Sequence, residues 1–191
     1  VLIIILFLLN FYRNPKRTAP KGDNIVAPAD GKIISIIDTS KNSVNIKKGL
    51  LGKIKTLTKD IAKNCYVISI FMSPFDVHIN RAPVAGTIIS IKHTKGKFFK
   101  AYDLEKSLQN EKNEIIIQNK KLKVKVIQIA GFLARRIKCY TKKNQKVNKG
   151  DKIGMIALSS QTTLVIPKGV GLKVKVNDKA KAGETLIATL R

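Results

Sequence analysis

The sequence predicts a mainly β fold of the α+β class, a β-sandwich or barrel-sandwich with few short helices. Three observations carry this expectation. Short runs rich in β-branched residues recur along the chain, each bounded by Gly, Pro, Asp or Lys clusters. Helical periodicity is weak and is supported only around 132–137 and near Ser107. Two pairs of segments echo each other, each with a turn ahead of a strand.

Taken in order, Val1 to Leu9 is an unbroken apolar run, followed by Asn10-Phe11-Tyr12 and then Arg13, Lys16, Arg17 and Lys21. A helix rises about 1.5 Å per residue, so this run reaches only about half of a ~30 Å hydrocarbon core. Aromatic residues followed by basic ones mark an interfacial, cytoplasmic-side boundary. The charges follow the run and no small-residue cleavage site comes after it, which argues against a secretory signal. Residues 1–17 are therefore expected to form a membrane-anchor segment with a basic boundary, at the cytoplasmic face of the cell membrane. Residues 18–191 are expected to form one β-rich domain. Strands are expected at 32–37, 44–46, 65–71, 87–91, 114–118, 122–129, 163–166 and 185–190. Asn119-Lys120-Lys121 reads as a tight hairpin connection. The segment Val26 to Ile36, containing Ala27-Pro28-Ala29-Asp30-Gly31, echoes Arg81 to Ile91. Likewise Val147 to Gly154 echoes Val176 to Gly183.

The composition bounds the partners. A hydrophobic content of 44% with 26% charged residues excludes a disordered chain. The formal net charge is +25, and only six of the 37 basic residues are arginine. Lysine-dominated charge with no Trp argues against a stacking platform for single-stranded nucleic acid, and no nucleic acid is expected as a partner. It suits an anionic membrane surface, at roughly 1 kcal/mol per juxtamembrane basic residue. Cys65 and Cys139 lack CxxC or Cys/His ligand spacing and are expected to be free, buried thiols. With only His78 and His93 to join them, no metal site is expected.

Three motifs carry chemistry: Ala27-Pro28-Ala29-Asp30-Gly31; Phe71-Met72-Ser73-Pro74-Phe75-Asp76-Val77-His78-Ile79-Asn80-Arg81-Ala82-Pro83; and Gly154-Met155-Ile156-Ala157-Leu158-Ser159-Ser160-Gln161-Thr162-Thr163-Leu164-Val165-Ile166-Pro167. Alone, the last reads as a buried strand interrupted by adjacent hydroxyls, and Asp30 as a turn aspartate beside glycine. Together they resemble the short-type, pyruvoyl-dependent phosphatidylserine decarboxylases, and the archaetidylserine decarboxylases among them. The resemblance runs from Phe11-Tyr12-Arg13-Asn14-Pro15 to the last strand. The echoed segments also resemble the flattened β-sandwich of biotinyl and lipoyl carrier domains, but the Met-Lys-Met of a carrier is absent.

The resemblance implies self-cleavage between Ser159 and Ser160. The Ser160 hydroxyl attacks the carbonyl of residue 159, and a base removes the Ser160 α-proton. The ester leaves by β-elimination, and hydrolysis yields a pyruvoyl group from Ser160, with ammonia released. That group would accept the electron pair when CO2 leaves a serine phospholipid, giving the ethanolamine lipid. His78 is implied as the base and Asp30 as the acid that orients it, so that Asp30, His78 and Ser160 form a triad defined by role. Longer relatives carry a second His where Arg81 stands. Arg81, Arg135 and Arg136 are expected to bind the substrate's phosphate or carboxylate, since guanidinium binds either bidentately. An ion pair of the adjacent arginines with Glu111 or Asp103 is the structural alternative. Lys95 to Phe99 and Asn110 to Asn113 are expected to border the headgroup site, with His93 on the surface.

One departure matters. The family has Gly-Ser where this chain has Ser159-Ser160, and Ser159 adds a Cβ beside the attacked carbonyl. A working processing site, an engineered block that traps the proenzyme and a natural inactive homologue all stay open. A biotinyl- or lipoyl-like binding module at the membrane is the reading from another class. Diacyl and ether-linked lipids are equally compatible as substrate, and a homodimer is left open.

Overall fold

The computed structural model describes residues 1–40, 54, 56–100, 102, 104–131, 136–157 and 160–190. The chain begins with helix α1 (Leu2–Phe11) and continues through β1 (Asn24–Val26), β2 (Gly31–Asp38), β3 (Cys65–Met72), β4 (Ile79–Arg81) and β5 (Gly86–Thr94). A four-residue helix α2 (Leu104–Ser107) precedes β6 (Lys112–Gln118), β7 (Lys123–Ile129), β8 (Ile137–Cys139), β9 (Lys146–Val147) and β10 (Lys152–Ile156). The chain ends with β11 (Ser160–Pro167), β12 (Gly171–Leu172), β13 (Lys179–Ala180) and β14 (Leu186–Thr189). The fold is mainly β, as the β-branched runs predict. The expected strand at 44–46 lies outside the described residues. So does most of the expected helix at 132–137, whose last residue, Ile137, opens strand β8 instead.

Among the described residues the strands form a curled sheet in the order β13-β2-β3-β11-β7-β6-β5-β9, with two three-stranded sheets, β1-β14-β12 and β4-β10-β8. Period-two alternation assigns the faces. Ile68, Ile70, Met72, Leu164, Ile166, Val124 and Val126 point into the main core. Cys65, Val67, Val165, Ile127 and Ile129 point the other way, where Ile54, Leu57 and Leu108 cover them. The β6–β7 hairpin turns through Asn119, whose side-chain oxygen accepts the N–H groups of Lys121 at 2.9 Å and Leu122 at 3.0 Å.

The sequence echoes are structural repeats. Gly31 and Gly86 each open a strand where a Cβ would lie 2.1 Å from Phe71 O and 2.5 Å from Gln118 O. At Gly31, φ is also +138°, so glycine is required there twice over. Two residues later both strands slip register, between Ile33 and Ser35 in β2 and between Ile88 and Ser90 in β5. The second echo is real but its register differs from the sequence expectation. Asn144 and Asn177, both at positive φ, are the equivalent residues: Asn144 N–H donates to Ile88 O and Asn177 N–H to Ile33 O, each at 2.8 Å. Gly150 and Gly183 then match, donating to Ala82 O and Ala27 O. Similar local sequence misplaced the pairing because hydrogen bonding, not residue identity, sets strand equivalence.

The cysteine expectation needs correction as well. Both thiols are free, but Cys139 is exposed on β8 and only Cys65 is buried. Cys139 ends a short strand at the sheet margin, where its neighbours Lys138 and Tyr140 are exposed with it.

Candidate active site

Strand β11 breaks the rule that inward positions are apolar. Its second half, Leu164-Val165-Ile166, is buried and apolar; its first half, Ser160-Gln161-Thr162-Thr163, is equally buried and wholly polar. Buried hydroxyls and amides are costly unless paired, so such a run marks a site built for chemistry. Ser160 opens the strand opposite Met72 of β3, and its hydroxyl donates to Met72 Sδ at 3.5 Å. Thr162 Oγ1 contacts the same sulfur at 3.4 Å.

A chain of buried amides supports this corner. Asn113 Nδ2 donates to Gln128 Oε1 at 2.9 Å, and Gln128 Nε2 donates to Asn80 Oδ1 at 2.8 Å. Asn80 Nδ2 then donates to Thr162 Oγ1 at 3.0 Å. These side chains fix one another's orientation around Ser160. Sequence reading missed Asn80 and Thr162; their signal was polar residues at inward strand positions.

His78 lies just before β4, and its carbonyl accepts the N–H of Ile156 at 3.4 Å. The ring is fully buried. Nδ1 donates to Asp76 O at 2.9 Å, which leaves Nε2 with the lone pair. That atom is buried and has no hydrogen-bond partner. The ring stacks obliquely on Phe11 of α1, with centroids 4.1 Å apart. Phe11 is 2% exposed. Burial lowers the His78 pKa to about 4, against the raising effect of the Asp76 carbonyl and carboxylate. At neutral pH the ring is the free base.

Asp30 sits in the turn entering β2. That turn lies against β4, because Pro28 O accepts the Arg81 N–H at 2.9 Å. The carboxylate accepts the Ala182 N–H at 2.7 Å and pairs with Arg17 at 2.7 Å. Desolvation nonetheless raises its pKa, outweighing the Ala182 hydrogen bond and Arg17. Asp30 and Asp76 line one cleft of about 460 Å³; His78 and Ser160 are buried and do not line it. Asp30 thus lies in a turn against β4, His78 just before β4, and Ser160 at the start of β11 opposite Met72. No hydrogen bond links them to one another: the partner of the histidine's Nδ1 is the Asp76 carbonyl, and that of Asp30 is Arg17.

The other expected site residues fall as follows. Arg81 donates to Gly150 O, Asn14 Oδ1 and Pro15 O at 2.8, 2.8 and 3.2 Å, tying down the segment after α1. Arg136 is exposed; Arg135 and Ser159 lie outside the described residues. Glu111 pairs with the exposed His93 at 2.9 Å. Residues 95–99 and 110–113 do meet: the Asn110 side chain accepts Phe99 N–H at 2.7 Å and donates to Phe99 O and Ala130 O at 2.8 and 2.7 Å.

The structure thus offers a mainly β domain with a buried serine and a buried, neutral histidine. The sequence comparisons make the class specific: the chain matches the phosphatidylserine decarboxylase family over residues 4–188, and it belongs to that family of decarboxylases. A protein of Methanocaldococcus jannaschii named as an archaetidylserine decarboxylase proenzyme is 42% identical over 189 residues, covering 98% of this chain and 92% of that one. A similarly named protein of Methanothermobacter thermautotrophicus is 39% identical, with 97% and 81% covered. A phosphatidylserine decarboxylase proenzyme of Chlorobium phaeobacteroides is 42% identical, with 96% and 79% covered.

Proposed function

We propose that this chain is the proenzyme of a pyruvoyl-dependent decarboxylase that converts a serine phospholipid to the ethanolamine lipid. The observation that carries this reading is the presence of a buried Ser160 and of a buried His78 whose Nε2 has no partner, in a member of this family.

The residues fit a pyruvoyl group at position 160. Ser160 is fully buried and its hydroxyl donates to the soft sulfur of Met72, so the nucleophile is desolvated without being strongly engaged. When formed, the group supplies an electrophilic carbonyl and a sink for the electron pair released with CO2. The protein's part is then proton handling. The Asp76 carbonyl fixes the His78 tautomer, and Nε2 receives or returns a proton without first having to lose one. Asp30, charge-balanced by Arg17, shapes the turn against β4. Asn80 and Thr162 hold the Ser160 corner rigid. Arg136 stays a candidate for the substrate's anionic groups, whereas Arg81 is committed to the N-terminal segment.

The reading extends to location. The α1 side chains from Val1 to Leu6, and Leu8 and Leu9, are largely exposed and apolar, with Phe75 71% exposed beside them. No described helix is long and apolar enough to cross a membrane. We place α1 in the headgroup and upper acyl region of one leaflet at the cytoplasmic face, with the basic residues after it against anionic lipid. The repeated half-sheets also suit a relation to biotinyl and lipoyl domains, but the sequence lacks the Met-Lys-Met of a carrier. Ser159 in place of glycine supports a slow or blocked proenzyme, the second reading within the same family.

The test is direct. Intact mass spectrometry of the full chain should show cleavage before Ser160 and a pyruvoyl-started small fragment, and vesicles containing the serine lipid should then release CO2. A cleaved protein that leaves the serine lipid unchanged would refute the proposed activity.

A further inference from the structure

We infer that the cleft between β13, β2 and the Ser73–Asp76 loop is the seat of the substrate's phosphodiester. The inference rests on the decarboxylase reading above and names where its ligand is held. The cleft is lined by Asp30, Phe71, Ser73 and Asp76 together with Lys32, Lys179 and Lys181. Lys32 and Lys179 are direct cross-strand partners, an arrangement in which like charges repel. All three lysines are exposed, and no ion pair or hydrogen bond engages their ammonium groups among the described residues.

Every acidic group in this cleft is already answered. Asp30 is held by Arg17 and the Ala182 N–H. Asp76 accepts the Ser73 N–H and hydroxyl, each at 2.7 Å. Lys32 and Lys179 are therefore the unpaired cations that line the cleft among the described residues, whereas Lys181 acts electrostatically on Glu184. The contrast with a second cleft of about 570 Å³ is informative, because its Lys121 and Lys168 are paired with Asp23 and Asp38. A general excess of lysine does not explain why one cleft pairs its cations and the other does not. A bound phosphodiester would relieve the Lys32–Lys179 repulsion and meet two or three donors at once.

The position fits the chemistry. Lys32 faces Phe71, Phe71 faces Gln161, and Ser160 is one step further along β11. Cross-strand partners share a face, so Lys32 points with Phe71 and Gln161 away from the Met72–Ser160 face. The cleft meets the site at the strand ends, where Asp30 and Asp76 line it and the Asp76 carbonyl accepts the His78 Nδ1–H at 2.9 Å.

Binding of glycerophospho-L-serine to the full chain, measured by calorimetry beside inorganic phosphate and free L-serine, tests the site without needing turnover. The wild-type chain should bind glycerophosphoserine more tightly than either fragment. Lys32→Gln/Lys179→Gln should weaken it about tenfold or more. Lys32→Arg/Lys179→Arg should retain binding, and Lys173→Gln/Lys175→Gln, which removes the same charge elsewhere, should leave it unchanged. Equal binding by the Lys32→Gln/Lys179→Gln variant, or equal affinity for inorganic phosphate and glycerophosphoserine, overturns the assignment even if the enzyme decarboxylates its lipid. Lysine-dependent binding without decarboxylation by the cleaved protein would instead keep the site and reject the activity.

Discussion

Ser159 and His78 show how much rests on single side chains here. Glycine before the serine would let the residue 159 carbonyl turn toward Ser160 Oγ without a Cβ in the way. Ser159→Gly should therefore accelerate chain cleavage, read as fragment appearance by intact mass, and Ser160→Ala in that background should abolish it together with CO2 release. A Ser160→Ala protein that still evolves CO2 would exclude the pyruvoyl mechanism. For His78 the sign of the pH effect follows from burial. Its folded pKa of about 4 lies below the ordinary 6.5, so the unfolded chain binds the extra proton first. Stability due to this group is intact above about pH 6.5 and is lost as pH falls toward 4, by about 3 kcal/mol in all. Urea unfolding of wild type and His78→Gln at pH 7, 5.5 and 4.5 should show a wild-type loss that the variant lacks; parallel slopes would refute it.

At the scale of elements, β4 is the hinge of the site. It carries Asn80 into the amide chain, follows His78 directly and packs the Asp30 turn on its other side. Asn80→Ala would leave Gln128 Nε2 without its acceptor and Thr162 Oγ1 without its donor at buried positions, at about 1–3 kcal/mol for each unsatisfied group. Thermal unfolding should drop by several degrees and cleavage before Ser160 should slow; unchanged cleavage in a folded variant would remove Asn80 from the positioning role. Helix α1 acts on the site as well as on the membrane. Phe11 caps His78, with Phe7 packed edge-on against Phe75 at 6.5 Å. A chain starting at Arg13 should keep its β core and gain solubility, while water reaching the ring raises the His78 pKa from about 4 toward 6.5. Ring titration by NMR would decide it, and an unmoved pKa would show that α1 does not seal the histidine.

For the molecule as a whole, charge and symmetry divide the work. The eight-stranded order reads alike from either end: a two-residue strand, then a glycine-started strand with a bulge, then two long strands. The smaller sheets follow the same pairing, β1-β14-β12 matching β4-β10-β8. Only one half carries His78 and Asn80, so equal scaffolding supports unequal chemistry. The net charge of +25 acts at longer range. Binding to anionic vesicles should exceed binding to neutral ones at low salt and weaken steeply as the Debye length shrinks from about 30 Å to about 8 Å. Equal partitioning to both vesicle types at low salt would count against an electrostatic contribution.

By itself the sequence determined the strands and the identities of the reactive groups. Runs such as Cys65 to Phe71 and Glu114 to Gln118 are short and rich in β-branched residues, and that local bias suffices to select extended backbone. The Pro-Ala-Asp-Gly turn was legible for the same reason, since Gly31 answers a local steric demand. What tertiary structure alone decided was partnership. That Asp30 bonds Arg17 and Ala182, that Phe11 lies on His78, and that Asn144 rather than a residue further along matches Asn177 are contacts between distant positions. Arg81 shows it most plainly: a guanidinium expected at the substrate is bonded to Asn14, Pro15 and Gly150. Alternation along a strand says which face a side chain takes, but only the closing of the sheets fixes which atoms meet it there and how far its charge is desolvated.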